Sequence, residues 1–244
     1  MIRRVRRTIA TLAVVAALAV AGLVGWGWMR GHPQDLPWTP LDLGEPVGLF
    51  TGRKLAGLGD DFPKCRRLLD RAGVRFVALA AQREGAHCGY DDAVRLRVGN
   101  ALTTPFRPAN VGTSCPVAAA LAMWEWNVVG PAAQRHFGTR VTAIEHFGSY
   151  NCRRMYGRDA GAWSEHARAN ALDIAAFRFA DGRRVSVVGD WNGSVDERAF
   201  LREVRDGACK LFATVLSPDY NAAHRDHFHL DQADRGAMGW RACR

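Results

Sequence analysis

Hydrophobic and polar positions divide the chain into three stretches. From Thr8 to Met29 the residues are apolar or small and none is charged. Such a run is long enough to cross a bilayer as a helix, which takes about 20 residues. Arg3, Arg4, Arg6 and Arg7 precede it, so the N-terminus is expected to stay cytoplasmic and the remainder to be exported. Trp26 and Trp28 stand at the far end, where aromatic rings favour the headgroup region. A cleaved secretion signal is the alternative, because the run is rich in Ala and Gly. Its length exceeds the about 7–15 apolar residues of a signal peptide, which favours an uncleaved, single-pass anchor in the inner membrane. Residues 31–50 hold Pro33, Pro37, Pro40 and Pro46 and read as an extended linker. The expected organisation is a basic tail and anchor over 1–30, a linker over 31–50 and a folded domain over 51–244.

Within 51–244 the period alternates between helix and strand. Leucines and charges at helical spacing predict a helix over 65–72, stopped at Gly73, then a strand over 74–80. Weak alternation predicts a hairpin around 94–98. The clearest helix spans 116–129, with Ser114 as N-cap and Pro116 in its first turn. Its Met123, Trp124 and Trp126 read as core. A short helix over 132–137 closes at Gly138, and 139–146 reads as strand. Residues 172–179 and 184–188 form a hairpin through Asp181-Gly182. An amphipathic helix over 195–204 turns Phe200, Leu201 and Val204 inward. Strands at 212–216 and 227–230 complete an α+β domain, a small antiparallel sheet flanked by helices.

A composition of 48% hydrophobic and 23% charged residues over 244 positions suits one globular domain with a sizeable core. Four of the nine net positive charges lie before the apolar run, leaving about +5 for the rest. Lys and Arg are dispersed, so nucleic acid is not expected as a partner, whereas anionic lipid or an acidic polymer is compatible. The six cysteines show no Cys-x-x-Cys spacing, which argues against a thiolate zinc cluster or a thioredoxin-type pair. Disulfides formed in an oxidising, periplasmic compartment account for them. Pairing of sequence neighbours is expected: Cys65 with Cys88, Cys115 with Cys152, Cys209 with Cys243.

Chemistry concentrates in two segments. HRDHFHLD holds His224, His227 and His229, and SEHARANALD holds His166 and Asp173 seven positions apart. Two imidazoles and a carboxylate, with one position left open, are what a catalytic zinc ion takes. Strand alternation turns His227 and His229 to one face and Phe228 to the other. A metal would then bridge a loop and two strands on the open face of the sheet. Each ligating imidazole needs an acceptor for its second nitrogen, with Asp231 and Glu165 as candidates. His224 is expected behind the ligands or at the surface, and Tyr220 and Asn221 are candidates for the cleft wall. No Gly-x-Ser-x-Gly elbow is present.

GSYNCR (148–153), SEHARANALDIA (164–175) and the segment from Cys209 through LSPDYNAAHRDHFHLD resemble the bacterial extensin-like C-terminal domain family, from about Leu36 to Arg244. That family is similar to the D-alanyl-D-alanine carboxypeptidase and murein endopeptidase group of zinc peptidases. The group's pattern, Ser-x-His-x-x-Gly-x-Ala-x-Asp and later His-x-His, is matched at Ser164, His166, Ala171, Asp173, His227 and His229, with Ala169 replacing the glycine. The resemblance implies zinc bound by His166, Asp173 and His229. It implies general acid/base work by Asp226, which stands where related carboxypeptidases often place a glutamate, or by His227. Arg153 is implied to hold a substrate carbonyl or carboxylate. The expected function is a membrane-anchored, extracytoplasmic zinc metallopeptidase hydrolysing peptide bonds of peptidoglycan. The alternative is a non-catalytic, metal-stabilised peptidoglycan-binding or envelope-scaffolding module, and a third reading is a disulfide-stapled domain with no metal. Ser-Pro repeats of the plant cell-wall extensins are lacking, so nothing about plant walls follows from the label.

Overall fold

In the computed structural model, which describes residues 1–236 and 241–244, the apolar N-terminal run is one helix, α1 (Ile2–Gly31), with no buried residue. It fits a membrane anchor or a signal sequence. Residues 31–50 are irregular apart from a short turn at Pro33–Asp35, as four prolines dictate. They are not a detached spacer, however. Leu41 and Leu43 are buried in the core, and Lys54 Nζ donates to the Pro33 carbonyl at 3.2 Å and to Thr39 Oγ1 at 2.9 Å. The packed body therefore begins ahead of Thr51, because two leucines among the prolines have apolar surface to lose.

Helix α2 (Thr51–Ala56) is followed by α3 (Phe62–Arg71), whose N-cap Asp61 accepts from the Lys64 N–H. Strands β1 (Val74–Ala78), β2 (Gln82–Glu84), β3 (Cys88–Tyr90), β4 (Ala93–Asn100), β5 (Phe106–Arg107) and β6 (Thr113–Ser114) come next. The hairpin expected around 94–98 is instead the single strand β4, paired antiparallel with β1 and β6. The hairpin of this region is β2 with β3.

Helix α4 (Cys115–Trp124), capped by Ser114, runs through a π turn (Glu125–Val129) into α5 (Gly130–Phe137). The two helices read from the sequence are thus one continuous run. Glu125, buried at the π turn, accepts from the Thr103 and Thr104 N–H groups at 3.1 and 2.8 Å. Gly138 ends α5 in the left-handed conformation, the conformation glycine adopts without a Cβ penalty.

Strands β7 (Val141–Gly148), β8 (Ala171–Phe179) and β9 (Arg184–Ser186) lead to α6 (Val187–Asp190) and to α7 (Val195–Ala208), which opens with a Ser194/Glu197 capping box. Strands β10 (Thr214–Leu216), β11 (Phe228–Asp231) and β12 (Ala242–Cys243) follow. The main sheet has the order β12-β10-β11-β8-β7-β5, with β9 also paired to β8. Its pairs are antiparallel except β10 with β12 and β5 with β7. One face carries Leu172, Ile174, Phe177, Phe228 and Leu230 into the core, all essentially without solvent contact. There Trp124, Phe137, Phe177, Phe179 and Phe200 pack at ring-centroid distances of 4.9–5.8 Å. Met123 and Trp124 are core as expected, and Trp126 is half-buried, its indole N–H donating to the Ala101 carbonyl.

Three disulfides close the fold: Cys65–Cys115, Cys88–Cys152 and Cys209–Cys243. Neighbour pairing holds for the last and fails for the first two. The packing of α3 on α4 brings Cys65 to Cys115, and the segment after β7 returns to β3, bringing Cys152 to Cys88.

Candidate metal centre

The open face of the sheet gathers the two segments. In the β8–β11 ladder His229 stands directly opposite Asp173, so strand register alone makes them neighbours. Their side chains meet at 2.9 Å, His229 Nδ1 to Asp173 Oδ1. His166 arrives from a short 3-10 turn (Glu165–Arg168) capped by Ser164, whose Oγ accepts from the His166 N–H. Ala169 ends this turn at φ +54°. That left-handed conformation is the physical reason a glycine suits the position, and alanine tolerates it at a cost of about 1–2 kcal/mol. His166 Nε2 then lies 3.1 Å from His229 Nδ1 and 3.1 Å from Asp173 Oδ2. One ligand atom from each of the three residues falls within 4.8 Å of the others, a group that could hold a metal ion.

The second nitrogens are held as ligation requires. His166 Nδ1 faces the Ser149 carbonyl at 2.5 Å, and His229 Nε2 faces Asp231 Oδ2 at 3.0 Å. Asp231 thus occupies the expected place, but Glu165 does not: its Oε2 accepts from Asn170 Nδ2 at 2.7 Å, and a backbone carbonyl serves His166 instead. Ser149 belongs to the 148–153 segment, which is pinned by Cys152 to Cys88, by the Asn151 N–H to the His166 carbonyl, and by Tyr150 to Glu84. The GSYNCR motif therefore orients a ligand rather than supplying one.

Electrostatics favour a cation here. Burial pushes the Asp173 carboxyl up, but hydrogen bonds and charge from His166 and His229 outweigh it and hold the group far below the carboxylate range. Burial lowers His229, yet Asp173 and Asp231 on its two nitrogens prevail and push it up to about 9. Two imidazoles and a carboxylate gathered on a site that attracts positive charge could hold a metal ion. In the metal-free protein the His229 proton competes with a metal for the same nitrogen. Its ionic pairing stabilises the metal-free fold fully below the ordinary value of 6.5 and is lost as pH rises through about 9. A metal ion held by the same nitrogen would bind more strongly over that window. The thermal shift produced by zinc is thus expected to grow from pH 6.5 to about 9, measured by scanning calorimetry with and without the ion. A shift that shrinks with pH contradicts the assignment.

The cleft over these groups has a volume of about 370 Å³ and is also lined by Arg153, Tyr156, Tyr220, His224 and His227. His227, just ahead of β11, keeps its Nε2 3.6 Å from Asp173 Oδ1 and its Nδ1 2.9 Å from Asp226 Oδ1. Asp226 itself lines a neighbouring depression, so it meets the cleft through His227. His224, expected behind the ligands or at the surface, is buried in the cleft wall with Nδ1 2.7 Å from Asn221 Oδ1. Its ring lies 5.2 and 6.0 Å from those of His227 and His229. Burial, followed by the charges of His227 and His229, lowers it to about 4. The spacing His-x-x-His-x-His is the signal in the sequence that places all three together.

A family model described as extensin-like protein C-terminus matches residues 63–244. No curated protein and no solved structure matches the chain.

Proposed function

The chain belongs to the extensin-like protein C-terminus family, and from that premise we propose that it is an extracytoplasmic zinc peptidase, held at the inner membrane by α1, that hydrolyses peptide bonds of peptidoglycan. The observation that carries this reading is the convergence of His166, Asp173 and His229 at the floor of one cleft. These three residues would hold the ion. When bound, zinc supplies Lewis acidity, acidifying a water and polarising a carbonyl. The rest of the chemistry belongs to the chain. His227 holds and returns a proton at Nε2, with Asp226 on Nδ1 fixing its ring and tautomer. His224, neutral at neutral pH, donates from Nδ1 to Asn221 and leaves Nε2 as an acceptor within the cleft. Arg153 grips the substrate's carbonyl oxygen through its guanidinium. Thiol nucleophiles are not called upon, since all six cysteines are paired. α1 and the disulfides fit an oxidising compartment, where peptidoglycan stem peptides suit the resemblance.

Purified full-length chain is expected to convert muropeptides to new products, with activity lost on chelation and restored by zinc. His227→Ala is expected to lower kcat by roughly 10²–10⁴-fold, the usual worth of a general acid/base, with zinc content retained. Conversion that survives complete metal removal refutes the reading.

A further inference from the structure

We infer that the folded domain lies against the bilayer that α1 crosses, and that Trp38 and Leu49 insert into its headgroup region. This rests on the reading of α1 as a retained anchor, and it is independent of the zinc chemistry.

The tether between helix and domain is short. The uncharged run ends at Met29, and Arg30 follows, its guanidinium 4.8 Å from the Trp26 ring. Interfacial tryptophans and an arginine whose charge can reach the headgroups mark the edge of the hydrocarbon. α1 ends at Gly31. Gln34 is already buried in the domain, its Nε2 donating to the Pro40 carbonyl at 3.2 Å. Three residues of extended chain reach about 10 Å, little more than the roughly 5–8 Å of headgroups on each face of a bilayer. The domain therefore has no length of chain on which to stand away from the membrane.

An apolar patch surrounds the attachment point. Among the described residues after α1, Leu49 and Trp38 are the most exposed large apolar side chains, at 74% and 72%. Both are folded back onto the turn at Pro33–Asp35. Thr39, next to Trp38, donates from Oγ1 to the Pro33 carbonyl. The Leu49 N–H donates to Asp35 Oδ1 at 2.7 Å, and the Phe50 N–H to the Gln34 carbonyl at 3.0 Å. The same stretch sends Leu41 and Leu43 into the core, so it had apolar surface to bury and left these two outside. A headgroup layer accepts the amphipathic indole of Trp38 and relieves Leu49 of water. Lying so, the domain keeps its metal cleft within on the order of 40 Å of the bilayer, the width of a folded body of this size.

The test uses the full-length chain in nanodiscs of phosphatidylcholine and phosphatidylglycerol, with and without bromine on the acyl chains. The emission of Trp38 is the difference between wild type and Trp38→Phe. Brominated lipid is expected to remove most of it, and iodide in the water little. Leu49→Trp, added to Trp38→Phe, is expected to report the same at the second position. Val195→Trp in that background is the control, expected to be quenched by iodide alone. Val195 is 71% exposed and opens α7, whose 14 residues span about 21 Å. The far end of α7 leads to Lys210, whose carbonyl lies 2.5 Å from where a Cβ on Gly52 would stand. Trp38 open to iodide and blind to bromine overturns the inference, as does Trp38 shielded from both, the result for a second copy or another protein seated on the patch. Equal bromine quenching at position 195 overturns it too. Intact mass of the chain from native membranes separates the two failures: loss of α1 removes the anchor reading and the inference together, whereas a retained α1 with Trp38 in water removes the docking alone.

Discussion

Replacing His229 with alanine is expected to empty the metal site and abolish peptide hydrolysis. His229 is the only one of the three proposed ligands flanked by two carboxylates, Asp173 on Nδ1 and Asp231 on Nε2. Removing the ring takes away a donor and leaves two largely buried acids without the cation they share. Breaking a buried ionic group in this manner costs about 3–5 kcal/mol of stability, so the folded state of the variant is confirmed by circular dichroism first. Asp231→Asn supplies the milder counterpart. It keeps every ligand and removes only the outer partner, with an expected loss of roughly 10–100-fold in zinc affinity. The check is zinc per chain after dialysis together with a competitive chelator titration. Wild-type zinc content in His229→Ala sinks the assignment of this residue.

The double replacement Cys65→Ser with Cys115→Ser is expected to give the largest loss of stability that leaves the metal site chemically intact. This bridge ties α3 to the first residue of α4, both sulfurs are fully buried, and it spans 50 residues. Closing a loop of that length is worth about 4 kcal/mol in the unfolded chain, or on the order of 10 °C in Tm for a domain of this size. Thermal unfolding under non-reducing conditions measures it. Peptide mapping of the unreduced protein supplies the accompanying check, with Cys65 found on Cys115 and Cys88 on Cys152. A Cys65–Cys88 peptide contradicts the fold. The Cys88–Cys152 bridge spans 64 residues, a similar entropic worth, but its loss is expected to act on the metal site as well. It anchors the segment whose Ser149 carbonyl holds His166.

Much of the candidate metal centre was legible because its signals are local. The seven positions from His166 to Asp173 hold a short turn followed by the start of a strand, and the structure adds the cap at Ser164. Alternation in HFH turns Phe228 into the core and His229 away from it. The partners of the ligands were less accessible. Glu165 is adjacent to His166 in sequence but turns to Asn170, whereas the Ser149 carbonyl, 17 positions upstream, completes the histidine. A backbone carbonyl leaves no mark in a list of side chains. The same holds for Asp226, whose position suggested direct contact with the cleft until the bend before β11 set it behind His227.

The sequence by itself determined the apolar N-terminal helix, the Ser114-capped start of α4, the hairpin at Asp181-Gly182 and the histidines and aspartate that form the candidate metal group. Each follows from chain chemistry within a few positions. Tertiary structure alone decided that His229 faces Asp173, that Leu41 and Leu43 draw the proline-rich stretch onto the core, and that two of three disulfides join distant cysteines. Burying Leu172, Ile174, Phe228 and Leu230 on one side of β8 and β11 fixes that pairing. A slip of one residue would turn those side chains to water and drive Asp173 and His229 into the core, so the apolar face sets the register that assembles the polar one.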